Sequence, residues 1–241
     1  MTTKLQRKNS VDTMAEAFGW LKRSPELILL FLVVGLVDGL GEVSFLFGLL
    51  GSLLLIVADA IAHRFAYAEV KGRATSIGEE IEHVLGRLLS LVGATLIYFV
   101  AVAIGLVLLI LPGIYLAIRL SLAFPAIVID DENAFDGLGT SWNVAKGNLL
   151  KLLGISLLAF VVIFSTTLVV AIFGALFESA AVIAVVSAVI TAVISPIVQL
   201  SYARVYLENR PGSEPESVDR DDDPWGSTGN GTRTNAEDAN W

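Results

Sequence analysis

Five ionisable side chains stand within or at the edges of long apolar runs: Asp38, Glu42, Asp59, Arg119 and Glu178. A charge at the centre of a bilayer costs at least about 2.5 kcal/mol on insertion scales, so each of these needs a partner, a route to water or a ligand. Arg119 is the cation set well inside a run. At about 1.5 Å per residue from Gly113 it lies roughly 9 Å inward from the nearest turn. From there its side chain can snorkel outward, pair with Asp38, Glu42 or Glu178, or meet an anionic lipid or solute. Asp59 lies near the opposite end of its run, so an Arg119–Asp59 pair is not the expected arrangement. His63 and His83 are too few and too widely separated for a metal site and are expected at an interface. Asp130, Asp131, Glu132 and Asp136 form an acidic cluster without the glycine-bearing spacing of a calcium loop, which reads as a solvated loop and helix cap.

The chain contains no cysteine, which excludes disulfides, thiolate metal sites and thiol nucleophiles. No phosphate-cradling Gly-rich loop, Gly-x-Ser-x-Gly elbow or His-Glu-x-x-His helix is present. The expectation is no catalytic constellation, no cofactor, no metal and no nucleic-acid partner.

The elements that must position these charges are membrane spans. Of 241 residues, 55% are hydrophobic and 17% charged, and the mean hydropathy is +0.73, well outside the balance of a soluble domain. Apolar runs fall at 26–42, 43–62, 88–111, 113–129, 149–174 and 179–203, and a crossing needs about 20 residues. The first run is interrupted by Asp38, Gly39, Gly41 and Glu42, and the fourth is short, so these two are the ones expected to tilt or re-enter. The expected fold is an all-α, polytopic bundle of about six spans. No cleaved signal peptide is expected, because a long polar stretch precedes the first run and further spans follow it.

Lysines and arginines fall before run one, between runs two and three, between four and five, and after six; the alternate connections contain none. By the positive-inside rule this predicts a multi-pass protein of the cell membrane with both termini cytoplasmic. Residues 1–24 read as a cytoplasmic segment with an amphipathic helix and 25–208 as the membrane domain. Residues 209–241 hold eight acids against three arginines and no apolar periodicity, the composition of a disordered acidic tail.

Two further patterns organise the spans. Thr13-x-x-Glu16, Ser76-x-x-Glu79 and Asn133-x-x-Asp136 are helix-start signatures. Each opens a stretch with apolar residues at steps of three and four: Val11, Met14, Phe18, Leu21; Ile77, Ile81, Val84, Leu85, Leu88; and Phe135, Leu138, Trp142, Ala145, Leu149. The chain thus reads as three repeats, each an interfacial helix followed by a hairpin of spans. Ala180, Ala184, Ala188 and Ala192 make one face of the last span nearly flat, and Gly35-x-x-x-Gly39 does the same in the first, so a neighbouring backbone can approach either closely. Such stripes serve packing within one chain or a homo-oligomer. Pro196 is expected to bend the last span.

The segments Leu111-Pro112-Gly113-Ile114-Tyr115-Leu116-Ala117-Ile118-Arg119, Phe124-Pro125-Ala126-Ile127-Val128-Ile129-Asp130, Thr140-Ser141-Trp142-Asn143 and Lys146-Gly147-Asn148 together resemble a known signature. It is that of the membrane domain found beside glycerophosphodiester phosphodiesterases and of the related YciC-like integral membrane proteins. The resemblance implies a shared role for Arg119 but no hydrolysis, since in that family a separate soluble domain carries the catalysis. The resulting expectation is a noncatalytic membrane component that binds lipid or supports a membrane protein partner. The alternative is a transporter or permease for a small or lipid-like solute, which would line one connected cavity with Arg119, Asp38, Asp59 or Glu178.

Overall fold

A computed structural model describes residues 5–42, 44–177 and 179–210. Among these the protein is all-helical: α1 (Ser10–Arg23), α2 (Pro25–Gly39), α3 (Phe45–Val70), α4 (Ile77–Gly86), α5 (Leu88–Leu108), α6 (Ile110–Leu120), α7 (Ala123–Ile129), α8 (Ala134–Lys146), α9 (Leu149–Phe177) and α10 (Ala180–Asn209). The acidic stretch from 211 onward and Glu178 lie outside the described residues.

Five segments are long and apolar enough to cross a membrane: Phe45–Val70, Leu88–Leu108, Ile110–Ile129, Leu149–Phe177 and Ala181–Asn209. The protein is therefore a membrane protein built as a helical bundle. The first expected span is shorter than these five segments. Its helix has 15 residues, about 22 Å at 1.5 Å per residue, because the chain leaves the α-helix after Gly39 for a single 3-10 turn over Leu40–Glu42. It packs instead along α10 and α3.

The fourth span is broken in two. Pro125 has no N–H to offer the Ser121 carbonyl, and its ring crowds that carbonyl, so the ladder is interrupted at Ser121 and Leu122. A buried hydroxyl bridges the gap: Ser141 Oγ on α8 donates to the Arg119 carbonyl (2.9 Å) and accepts from the Leu122 N–H (3.0 Å). The turn between α5 and α6 comes at Leu109, in extended conformation, earlier than the Pro112–Gly113 expected from sequence. Pro112 instead sits in the first turn of α6, where its missing N–H costs nothing. A Cβ on Gly105 would lie 2.8 Å from the Gly113 Cα, so this hairpin closes as tightly as it does only with glycine.

The three short helices preceding the paired apolar segments have asparagine or serine caps. Ser76 Oγ accepts from the Glu79 N–H, and Asn133 Oδ1 accepts from the Phe135 and Asp136 N–H groups. The first helix begins earlier than expected: Asn9 Oδ1 accepts from the Asp12 N–H, while Thr13 is inside the helix and donates back to the Asn9 carbonyl. Its buried face also differs. Thr13, Ala17, Trp20 and Leu21 turn inward, and Val11 and Phe18 remain exposed. On this helix Glu16 is held toward α10 by Arg204.

The largest core lies at the end of the bundle that carries the basic residues. Leu21, Leu27, Ile61, Phe65, Leu91, Leu122, Ile127, Leu152, Leu200 and Tyr206 are buried there, in a core to which all ten helices contribute. Away from it, α5, α9 and the outer half of α10 expose long apolar faces, the surface a bilayer would cover.

Candidate functional site

Arg119 occupies the last turn of α6, just before the break. It is 3% exposed. Its guanidinium carbon lies 4.0 Å from the centroid of the Trp142 ring on α8 and 5.6 Å from that of Tyr115, and the two rings meet edge to face at 5.9 Å. Nε and Nη1 are buried with no hydrogen-bond acceptor among the described residues. The sequence-derived expectation of an acidic partner or an outward snorkel is thus corrected. Fold-back of α8 against the broken span brings Trp142 over the cation in place of a carboxylate. Asp38 is exposed near the end of α2 and makes no ion pair with Arg119; Glu42 stands in the 3-10 turn, and its side chain, like all of Glu178, lies outside the described residues. A desolvated cation–π contact contributes about 2 kcal/mol and the helix C-terminus roughly 0.3–1 kcal/mol more. Taking the charge out of water costs several kcal/mol, so the guanidinium is only partly compensated.

A second polar group lies where α3, α7 and α10 meet. Asp59 accepts a hydrogen bond from the Gln199 side chain, and His63, one turn further along α3, faces the Gln199 carbonyl. His63 is buried against the edge of Phe124, not interfacial as expected, because α7 folds across it after the break. Its Nδ1 has no partner. Asp59 and Arg119 thus occupy separate environments. No group of three or more potential metal-binding side chains occurs among the described residues.

At the basic end of the bundle the charges are knitted into ion pairs. Arg204, fully buried on α10, donates to Glu16 on α1, to Glu208 (2.6 Å) and to the Gln6 carbonyl (2.9 Å), while Lys8 holds Glu16 (2.9 Å) and Lys151 holds Glu208 (2.7 Å). Burial alone would raise the Glu16 pKa, but hydrogen bonds from Lys8 and Arg204 and their charges outweigh it and hold the carboxyl below its usual value. The acidic cluster is a docking point rather than a solvated loop. Asp130 accepts from Tyr206 (2.5 Å) and Arg210 (2.6 Å), and Asp131 meets Arg87 (3.1 Å) and His83 (3.3 Å).

Glu80 takes Arg64 (2.7 Å), Arg73 (2.9 Å) and the Thr75 hydroxyl (2.7 Å), and Arg64 also donates to the Val128 carbonyl. Burial pushes the Glu80 carboxyl up, and these hydrogen bonds and charges more than reverse it, so its pKa lies below 4.5. A carboxyl depressed on folding contributes stability above its unfolded pKa and loses it as pH falls through the folded value. Thermal scans of purified protein between about pH 6 and pH 3 are therefore expected to show a falling melting temperature whose acid limb flattens in Glu80→Gln. An unchanged limb would remove Glu80 from the acid sensitivity.

A cleft of about 480 Å³ opens at this same end, lined by Arg7, Lys8, Lys146, Gly147, Asn148, Leu149, Leu150 and Lys151. It sits at the start of α9, the 29-residue apolar helix. The Asn148 side-chain amide, at the start of α9, donates back to the Val144 carbonyl (3.0 Å). Arg7 and Lys146 are exposed and have no ion pair among the described residues. From sequence these four cations were informative only about topology. Their convergence depends on the N-terminal segment folding over the α8–α9 corner, where Ser10 Oγ donates to the Lys151 carbonyl (3.0 Å). The local signal was present in Lys146 and Lys151 flanking Gly147–Asn148 at a span boundary.

The small-residue stripes of α2 and α10 face each other. A Cβ on Gly35 would lie 3.0 Å from the Ala188 Cα, and one on Gly39 would lie 2.9 Å from the Ala184 Cβ; Ala192 is buried beside Phe31 and Val34. Ala180 opens α10, and its side chain lies outside the described part.

A family model described as a domain of unknown function, DUF7847, matches residues 24–208. The chain belongs to that family. No curated protein and no solved structure matches it. The broken span, the Arg119–Trp142 stack and the α8–α9 corner lie within the matched residues. The resemblance to glycerophosphodiester phosphodiesterase membrane domains and YciC-like proteins gains no support from the match, and DUF7847 membership replaces it.

Proposed function

We propose that this DUF7847 protein is a noncatalytic integral membrane protein that holds an anionic phospholipid headgroup at its basic end. The observation that carries the reading is the cleft where four cations converge at the start of α9. Basic pockets between helices at the cytoplasmic surface suit anionic headgroups, and the N-terminal end of a helix dipole favours negative charge. The exposed Leu150 at its rim offers a surface for the acyl chains. The lysines and arginines gather at this end, which we place in the cytoplasm with both termini. The three capped helices and the paired apolar segments after them fit three repeats of one interfacial helix plus one hairpin, a layout suited to lying against a leaflet and supporting a membrane partner.

The test is lipid retention. Protein extracted from phosphatidylglycerol–phosphatidylcholine nanodiscs and examined by native mass spectrometry is expected to keep phosphatidylglycerol preferentially. Each surface cation contributes about 1 kcal/mol, so Arg7→Gln with Lys146→Gln should weaken that preference about thirtyfold. Equal retention of both lipids by the parent, or no change in the double variant, would overturn the assignment.

The transporter reading draws on Asp59, His63 and Gln199, a polar group deep among α3, α7 and α10. It asks for one polar path through the bundle, whereas Asp59 is engaged with Gln199, Arg119 lies under Trp142, and Asp38 is exposed near the end of α2. Lipid binding at the cleft needs no such path.

A further inference from the structure

We infer that Arg119 is the anchor of a second site, one that takes the oxyanion of a lipid arriving from within the bilayer between Tyr115 and Trp142. The guanidinium carries five N–H donors. Those on Nε and Nη1 are buried without an acceptor, in a protein whose other deeply buried guanidinium, that of Arg204, is met by two carboxylates and a carbonyl. The two aromatic rings attract the charge but supply no conventional hydrogen-bond acceptor to these N–H groups. An in-plane oxyanion supplies what the rings cannot, and guanidinium matches carboxylate and phosphate in shape.

The position of the pair favours a lipid over a soluble anion. Leu111, Ile114 and Tyr115 are exposed along α6, inside a segment able to span a membrane, so the surface around the guanidinium faces acyl chains. Trp142 is 37% exposed and covers the cation at 4.0 Å. The backbone beneath is held by other bonds, since the Arg119 carbonyl is tied to Ser141. Lys146 stands one turn beyond Trp142 on α8, adding positive charge on the same side. The site extends the lipid-binding reading to a second position, but it rests on Arg119 and not on the cleft.

Trp142 is a native reporter for the test. In a background carrying Trp20→Phe, Trp225→Phe and Trp241→Phe, its fluorescence in phosphatidylcholine nanodiscs is titrated with brominated lipids. Dibromostearate provides a carboxylate, dibromo-phosphatidic acid a phosphate, and dibromo-phosphatidylcholine the zwitterionic control. One of the anionic probes is expected to quench at a roughly tenfold lower mole fraction than the control, and which one does so identifies the oxyanion. Arg119→Gln should abolish the difference and Arg119→Lys should keep part of it. Equal quenching by all three probes, which needs no Arg119 variant to fold, overturns the inference, as does an unchanged preference in a folded Arg119→Gln. Loss of this preference with headgroup retention still sensitive to Arg7 and Lys146 removes the second site and leaves the cleft standing.

Discussion

Replacing Arg204 with alanine is expected to destabilise the protein by about 3–5 kcal/mol, the cost of removing one partner from a buried ion network. Arg204 is fully enclosed and is the only side chain among the described residues that touches both Glu16 and Glu208. Its loss removes three hydrogen bonds at once and separates α1 from α10, because the Gln6 carbonyl and Glu16 both lie on the N-terminal side of that junction. Lys8 and Lys151 remain on the two acids but point to different neighbours and do not rejoin the helices. The expected readouts are a lower melting temperature in detergent and faster proteolysis within residues 5–23. Lys8→Ala is the contrast. The Lys8 side chain is about one-third exposed, and an ion pair of that kind contributes no more than about 1 kcal/mol. Comparable losses in the two variants would show that the network is not organised around Arg204.

Gly35→Leu is expected to have the next largest effect, about 1–3 kcal/mol from overpacking. In lipid, helices gain little from the hydrophobic effect against one another, and close van der Waals approach takes its place. The α2–α10 contact is the most extensive between any two helices of the bundle and runs through Gly35, Gly39, Ala184 and Ala188. A side chain at Gly35 meets the α10 backbone, which cannot swing aside as a flexible side chain would. Gly35→Ala should cost less than Gly35→Leu, and combining it with Ala188→Gly should recover part of that loss. Additive effects of the two small substitutions in thermal unfolding would mean that the residues are not coupled across this interface.

Much of the bundle was legible in the chain because apolar length and periodicity are local properties. The spans of α3, α5, α9 and α10 follow from runs of apolar residues, and the caps at Ser76 and Asn133 follow from a polar residue and an acid three positions later. The first helix start was misplaced because Asn9 and Thr13 are both competent caps; Asn9 takes the Asp12 N–H and Thr13 lies one turn inside the helix. The first helix is shorter than its apolar run because the chain leaves the α-helix at Gly39 and Leu40. The break in the fourth was hidden because Pro125 is also tolerated in kinked membrane helices, and the Ser141 hydroxyl that stabilises the gap comes from another helix.

The candidate sites divide along the same line. Composition and charge placement were enough to establish a membrane protein with its basic residues segregated to alternate connections, since burying apolar surface and excluding charge from lipid constrain every residue of the sequence equally. They also singled out Arg119 as a charge needing an explanation. Which group explains it was not a local matter. Trp142 stands 23 positions further along the chain and reaches the guanidinium only because α7 breaks and α8 folds back. The cleft joins Arg7 to Lys146 across most of the chain for a similar reason, the seating of α1 on α9 and α10. Contacts between distant segments are selected by the packing of whole helices, and it is there that Arg119 acquires an aromatic cover and four cations distant in sequence come to line one cleft.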